Sequence, residues 1–256
     1  QRQMESHKII IVGGGSAGWM AAATLINQFP NKDITVIESP NIPTVGVGES
    51  TLGQINDWLK LLGIKDKDFM PHTEASYKMS IRFEDFYKKG DGGFHYPFGR
   101  PVENEKLGVK QLWFIKKFLD PDTPISDYAN QHYKNMALVN NNVLFENEDN
   151  ELDGFSFQFH TAYHFDATKF GIWLRDHYCK PKGVNHILED INSIETNDDG
   201  ILSLNNKHKA DMFIDCTGFK SLLLGETLKE NFNDYSKLLP NNKAWATRVP
   251  YKDKEK

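Results

Sequence analysis

The chain has 256 residues, 39% of them hydrophobic and 25% charged, with 12% aromatic. That balance fits a globular protein and excludes disordered, fibrous and collagenous classes. With 30 basic and 35 acidic residues the net charge is -5, and the basic residues do not cluster into a block, which argues against a nucleic-acid partner. Mean hydropathy is -0.55 and no apolar run approaches the roughly 18 residues that a membrane span needs, so no membrane association is expected.

Two cysteines far apart, Cys179 and Cys216, and the lack of an N-x-S/T sequon suggest neither a disulfide framework nor a glycosylated chain, so a reducing cytoplasm is the expected location. Nothing near the start reads as a signal peptide, and Gln1–Gln3 ahead of Met4 read as extraneous.

In chain order, the apolar run Lys8–Val12 predicts a strand of a parallel sheet buried on both faces. It leads into Gly13-Gly14-Gly15-Ser16-Ala17-Gly18, an alanine-rich helix over Trp19–Gln28, and a second strand over Asp33–Glu38, making a βαβ unit. Apolar Leu52, Ile55, Leu59 and Leu62 predict a helix over Thr51–Leu62, and Met79–Phe86 alternates as a strand. Helices near Val109–Leu119 and Ile125–Val139 punctuate an irregular stretch from Lys88 to Asp153.

Regular pattern resumes over Phe155–Phe165, with strand sequence between His160 and His164. Asp166 stands where an N-cap would, before a helix that Gly183 closes. Strands follow over Val184–Leu188, Ile191–Thr196, Ile201–Leu204 and Ala210–Asp215, with a turn at Asn197–Gly200.

The expected fold is α/β, a βαβ Rossmann unit plus a β-meander with an inserted mixed substrate region; the late strand that ends in Asp215-Cys216-Thr217-Gly218 resembles the glutathione-reductase-like FAD-binding fold. The expected boundaries are 8–87 and 154–226 for the FAD-binding domain, 88–153 for the insertion and 227–256 for the start of a C-terminal region.

Gly13-x-Gly15-x-x-Gly18 between strand and helix is a dinucleotide fingerprint. Its first glycine permits the turn, the second lets a pyrophosphate approach the backbone, and the third lets helix pack on sheet. The anion would meet free N–H groups of Ser16, Ala17 and Gly18 at the helix N-terminus. Glu38, ending the second strand about 20 residues on, suits a ribose 2′-OH.

Val45–Thr51 is a second glycine-bearing loop, where the backbone of Gly48, Glu49 and Ser50 could meet a ring edge or phosphate. Glu49 reads equally as a helix N-terminal carboxylate. Gly218, in Asp215-Cys216-Thr217-Gly218, ends a late strand returning to the dinucleotide site. No metal site is expected: His160 and His164 lack a third ligand at a recognisable spacing and read as structural, and neither cysteine sits in a C-x-x-C pair.

Five blocks in order, GGGSAGWMAA (13–22), VGVGEST (45–51), SYKMSIRF (76–83), AYHFDA (162–167) and DCTGFKSLLLGE (215–226), resemble the flavin-dependent tryptophan halogenase family. The resemblance implies reduced FAD supplied by a separate flavin reductase, a flavin hydroperoxide that a halide attacks, and hypohalous acid that travels to a lysine beside an aromatic small-molecule substrate. Lys78 matches that lysine.

A lysine ammonium can hydrogen-bond and polarise hypohalous acid, and a desolvated lysine of lowered pKa can itself be N-halogenated. The resemblance also makes Val45–Thr51 a strap between flavin and substrate sites, and sets Ile187 against the adenine, where a plain core role is the other reading. The family's W-x-W-x-I-P motif, its second catalytic glutamate and its chloride-binding segment do not occur in the sequence, so a fragment of a longer enzyme is expected.

Aromatic residues of the insertion, among them Phe94, Phe98, Trp113 and Tyr128, suit either ring stacking or a core. A related FAD monooxygenase, which would need no lysine at position 78, and a non-catalytic FAD-binding fragment are the competing readings. A homodimer stays open.

Overall fold

The structure, a computed structural model, describes residues 7–42, 48–102, 108–144 and 155–243, together with Trp245, Thr247 and Pro250. In chain order the first elements are β1 (Lys8–Val12), α1 (Ser16–Gln28), β2 (Asp33–Glu38), β3 (Gly48–Ser50), α2 (Gln54–Leu62), α3 (Asp66–Phe69), β4 (Ser76–Lys78), β5 (Ser80–Glu84) and β6 (Gly93–Pro97). Then follow α4 (Val109–Leu119), α5 (Asp127–His132), α6 (Met136–Asn141), α7 (Phe157–His160), β7 (Ala162–Asp166), α8 (Ala167–Trp173), β8 (Asn185–Leu188), β9 (Ile194–Asn197), β10 (Gly200–Leu204) and β11 (Met212–Asp215).

The chain divides into two compact units, one of Gln1–Gly48, Ile64–Glu74 and Phe165–Arg248, the other of Glu49–Gly63, Ala75–His164 and Val249–Lys256. The first unit is built on a parallel sheet in the order β11-β1-β2-β8. Ile9, Ile10, Ile11 and Val12 are all buried, as a central parallel strand covered on both faces requires. Ile10, Val12 and Ile37 join Leu204 and Leu223 in one core cluster, with Ile187, Ile194 and Ile201 packed against it. On the other side α1 buries Trp19, Ala22, Ala23 and Ile26 against α8 and the π-helical turn Leu174–Cys179 that continues it.

Asp166 caps α8 as its position predicts, its Oδ1 accepting from Lys169 N at 2.9 Å, and Gly183 closes the helical stretch with φ +99°. Strands β9 and β10 pair as an antiparallel hairpin, from which β11 departs to run parallel to β1. The observed β9 and β11 begin at Ile194 and Met212, later than Ile191 and Ala210.

The second unit contains the hairpin β5–β6 and the antiparallel pair β4–β7, with Ser76 opposite His164, Tyr77 opposite Tyr163 and Lys78 opposite Ala162. Two expectations change here, each because a side chain claims the backbone. The expected helix at Thr51 begins only at Gln54, since Thr51 pairs with Tyr163 through both its N–H and its hydroxyl. The single helix expected over Ile125–Val139 is two, α5 and α6. Between them buried Asn135 turns its amide to the carbonyls of Met79 and Phe98, both at 3.2 Å.

Within Phe155–Phe165 the strand sequence between His160 and His164 is where β7 starts, at Ala162. Phe157–His160 forms one helical turn, locked by Thr161 Oγ1 donating to Phe157 O, before β7 begins.

Candidate functional site

The glycine turn lies at the C-terminal end of β1, between β2 and β11. Gly13 N donates to Ile37 O at 2.9 Å and Cys216 N to Val12 O at 2.8 Å, so the loops after β1 and β11 are tied side by side. Gly13 has φ +114°, and a β-carbon there would overlap the Cys216 carbonyl. One on Gly18 would overlap Gly13 O, so the helix approaches the turn closely only because position 18 lacks a side chain. A β-carbon on Gly14 would likewise occupy the space of the Glu38 carboxyl.

Gly15 is the N-cap of α1 and its first-turn N–H groups have no side-chain cap; the helix starts at Ser16, three residues ahead of the expected Trp19. An uncapped, 13-residue helix start on a turn stripped of side chains fits a pyrophosphate. The Ser16 hydroxyl donates to Ala167 O at 3.0 Å and ties the turn to α8. Ala17 is exposed on the first helical turn.

Glu38 ends β2, half-buried, with Oε2 2.8 Å from His186 Nε2; the His186 ring meets Trp19 edge-on at 5.0 Å between centroids. Ile187 pairs with Ile37 across β2 and β8 and packs on the core cluster, so its core role is realised. Gly218, with φ +64°, opens the turn Gly218–Lys220.

What shapes that last turn is Asp215, which motif spacing had not singled out. Its Oδ1 accepts from Thr217 N and Oγ1 and its Oδ2 from Leu223 N and Leu224 N, at 2.6–3.0 Å. Burial pushes the Asp215 carboxyl pKa up, but these hydrogen bonds outweigh it and hold it below the ordinary value. Gly13, Gly15, Ser16, Ala17, Gly18, Glu38, Ile187 and Gly218 thus sit on or beside the C-terminal ends of neighbouring parallel strands. That edge is where dinucleotides bind in open α/β sheets.

In the second unit Lys78 ends β4. It is only 7% exposed, although it carries a basic group. Its Nζ donates to Thr51 O at 2.9 Å and stands 5.4 Å from the centre of the Phe98 ring. Burial lowers the Lys78 pKa, because the charged form loses hydration that one carbonyl and one ring face replace only in part.

The antiparallel register sets His164 on the same face of the pair β4–β7, diagonal to Lys78. His164 is exposed on that face; partial desolvation lowers its pKa first and the charge of Lys78 lowers it further. The partner carbonyl of Thr51, the ring of Phe98 and the closeness of His164 follow from register and tertiary contacts rather than from a local pattern. Of the strap, Gly48, Glu49 and Ser50 form β3 and are exposed, whereas Val45, Gly46 and Val47 lie outside the described residues. Among the described residues no group of three His, Cys, Asp or Glu side chains could hold a metal, and no helix is long and apolar enough to cross a membrane.

The sequence profile of the tryptophan halogenase family matches residues 8–256. The chain belongs to that family. It is 33% identical over 265 residues to tryptophan 7-halogenase RebH of Lentzea aerocolonigenes, an alignment covering 96% of this chain and 49% of RebH. Among solved structures, it is similar to VirX1 in its apo form, at 41% identity with a TM-score of 0.87, over 97% of this chain and 49% of that one. It also resembles Tar14, a tryptophan C-6 flavin-dependent halogenase from taromycin biosynthesis, at 31% identity with a TM-score of 0.79, over 92% and 47% of the two chains. The chain spans about half the length of these relatives.

Proposed function

We propose that this chain is the FAD-binding and lysine-bearing part of a flavin-dependent halogenase acting on an electron-rich aromatic small molecule. The observation that carries the reading is Lys78: a buried amine on a carbonyl and an aromatic face, in a member of a halogenase family. In this reading the first turn of α1 and the Gly13–Gly18 loop hold the pyrophosphate of FAD, and Glu38 accepts from its ribose. The Gly218 turn and the backbone of Gly48, Glu49 and Ser50 complete the flavin contacts. Reduced FAD, delivered by a flavin reductase, would with oxygen supply the two-electron oxidation of halide to hypohalous acid.

Lys78 then acts on that acid. Its N–H, directed by Thr51 O, donates to the hypohalous oxygen, so the halogen end becomes electrophilic as the halogen–oxygen bond weakens. The aromatic carbon bonds to halogen as the halogen–oxygen bond breaks, the leaving hydroxide takes a proton from the Lys78 ammonium and becomes water, and the ring then gives up the proton of that carbon to the Lys78 amine, which restores both the aromatic ring and the ammonium. Burial makes the Lys78 ammonium the stronger acid for this transfer. A monooxygenase of related fold would share the dinucleotide contacts and leave Lys78 without a task.

The test incubates the full-length protein with FAD, a flavin reductase, NADH, halide and a panel of indoles and phenols. Halogenated product is expected from wild type, and none from Lys78→Ala with its FAD affinity unchanged. Hydroxylated but never halogenated product, or a Lys78→Ala variant that still halogenates, overturns the reading.

A further inference from the structure

The second unit holds a cavity of about 490 Å3 that no step above uses. One wall comes from the hairpin β5–β6, where Phe94 stacks on Phe83 at 5.2 Å and Phe86 meets both rings edge-on. The other comes from α4 and α5. There Trp113 donates from Nε1 to Asp127 Oδ2 at 3.2 Å, and the same carboxylate takes Lys116 Nζ and Gln131 Nε2, each at 2.7 Å.

Trp113 is therefore anchored by its polar edge, while Tyr128 and Phe114 pack edge-on to it at 5.6 and 5.7 Å. Phe83 and Asp127, which hold these rings, do not themselves line the cavity, whereas Phe86, Phe94, Trp113, Phe114 and Tyr128 do. Among the described residues the single charged side chain lining this space is Asp91, in the loop between β5 and β6.

Aromatic faces are negative, and a carboxylate at the rim adds charge of the same sign. A cavity so lined favours a cation with an apolar body over a neutral molecule or an anion. Its volume falls within the range of small-molecule sites. It is also separate from the lysine: Phe94 precedes Phe98 by four residues of extended chain, about 13 Å at 3.3 Å per residue. A lysine side chain with a ring beside it does not reach that far.

We infer that Phe86, Phe94, Trp113, Phe114 and Tyr128, with Asp91, form a second binding site, for an organic ammonium ion attached to an aromatic or alkyl body. The inference goes beyond the halogenase reading and does not depend on it, because occupancy of this site needs neither flavin nor Lys78.

Calorimetric titration of the full-length protein with phenethyltrimethylammonium, and with its uncharged isostere in which carbon replaces nitrogen, tests the site. Saturable binding of the ammonium is expected, at least ten-fold tighter than that of the isostere, and unchanged in Lys78→Ala. Phe114→Ala and Asp91→Asn alter exposed side chains and leave the fold intact. The first is expected to weaken binding of both ligands about ten-fold, and the second to weaken the ammonium about three-fold with no effect on the isostere. Absence of saturable binding, equal affinity for the two ligands, or unchanged affinities in both variants overturns the inference. Loss of binding in Lys78→Ala would move the ligand to the lysine site and overturn it equally, while leaving the halogenase reading standing.

Discussion

The two candidate sites are made of different material. Around Gly13 the working surface is backbone: glycines where a β-carbon would collide, helix N–H groups, and a loop tied by the Asp215 carboxylate. Around Lys78 it is one side chain whose chemistry is set by burial, by Thr51 O and by the Phe98 ring. A backbone site fails when anything is added to it, because it has no room. A side-chain site fails when its functional group is removed, and its scaffold survives the loss.

The sharpest break of that contrast is Lys78→Ala in the full-length enzyme. Halogenation should fall by at least about a thousand-fold, within the range for a proton-donating group, which leaves no detectable product, at constant FAD affinity. Gly18→Ala should do the reverse, costing about 3 kcal/mol in denaturant unfolding because its β-carbon meets Gly13 O, and weakening FAD before any chemistry is assayed. If Gly18→Ala binds FAD normally, close helix–turn packing is not what the cofactor needs.

Asp215→Asn is a milder test of the same backbone site. One amide cannot accept all that two carboxylate oxygens accept, so a loss of about 2 kcal/mol is expected in urea unfolding.

The lysine site should reveal itself through pH. The folded pKa of Lys78 lies below its ordinary value near 10.5, so between the two the unfolded chain binds more protons. The cost of burying the charge is then present at neutral pH and relieved as pH rises toward 10.5. The stability of Lys78→Met relative to wild type should accordingly be greatest at neutral pH and shrink on raising it, as measured by unfolding at several pH values; a pH-independent difference would mean that the amine is not desolvated.

The smallest effect belongs to Glu189 of the first unit. His208, Lys207 and Asn205 hold its carboxyl down at about 2. Its contribution is present above the ordinary carboxylate pKa near 4.5 and lost as pH falls toward 2, so Glu189→Gln should flatten that part of the acid-unfolding curve.

Much of the first unit was legible because its constraints are local. The run Lys8–Val12 can be stable only when covered on both faces, and the glycine spacing admits few backbones. Asp166 was readable as a cap for the same reason, since its partner is three residues away. The second unit was less legible where distant groups compete for the backbone. Thr51 leaves the expected helix for Tyr163, and Asn135 breaks another to reach Met79 and Phe98, none of them helix neighbours.

By itself the sequence determined the βαβ opening and the glycine turn, because propensity and steric exclusion act within a few positions, whereas Lys78 stood out only through the resemblance to a family. Tertiary structure alone decided that Asp215 shapes the Gly218 turn, that Thr51 O and Phe98 flank the lysine amine, and that burial makes this amine more acidic. Desolvation and hydrogen-bond partnership depend on which distant segments fold against a residue, and no local pattern of residue types encodes them.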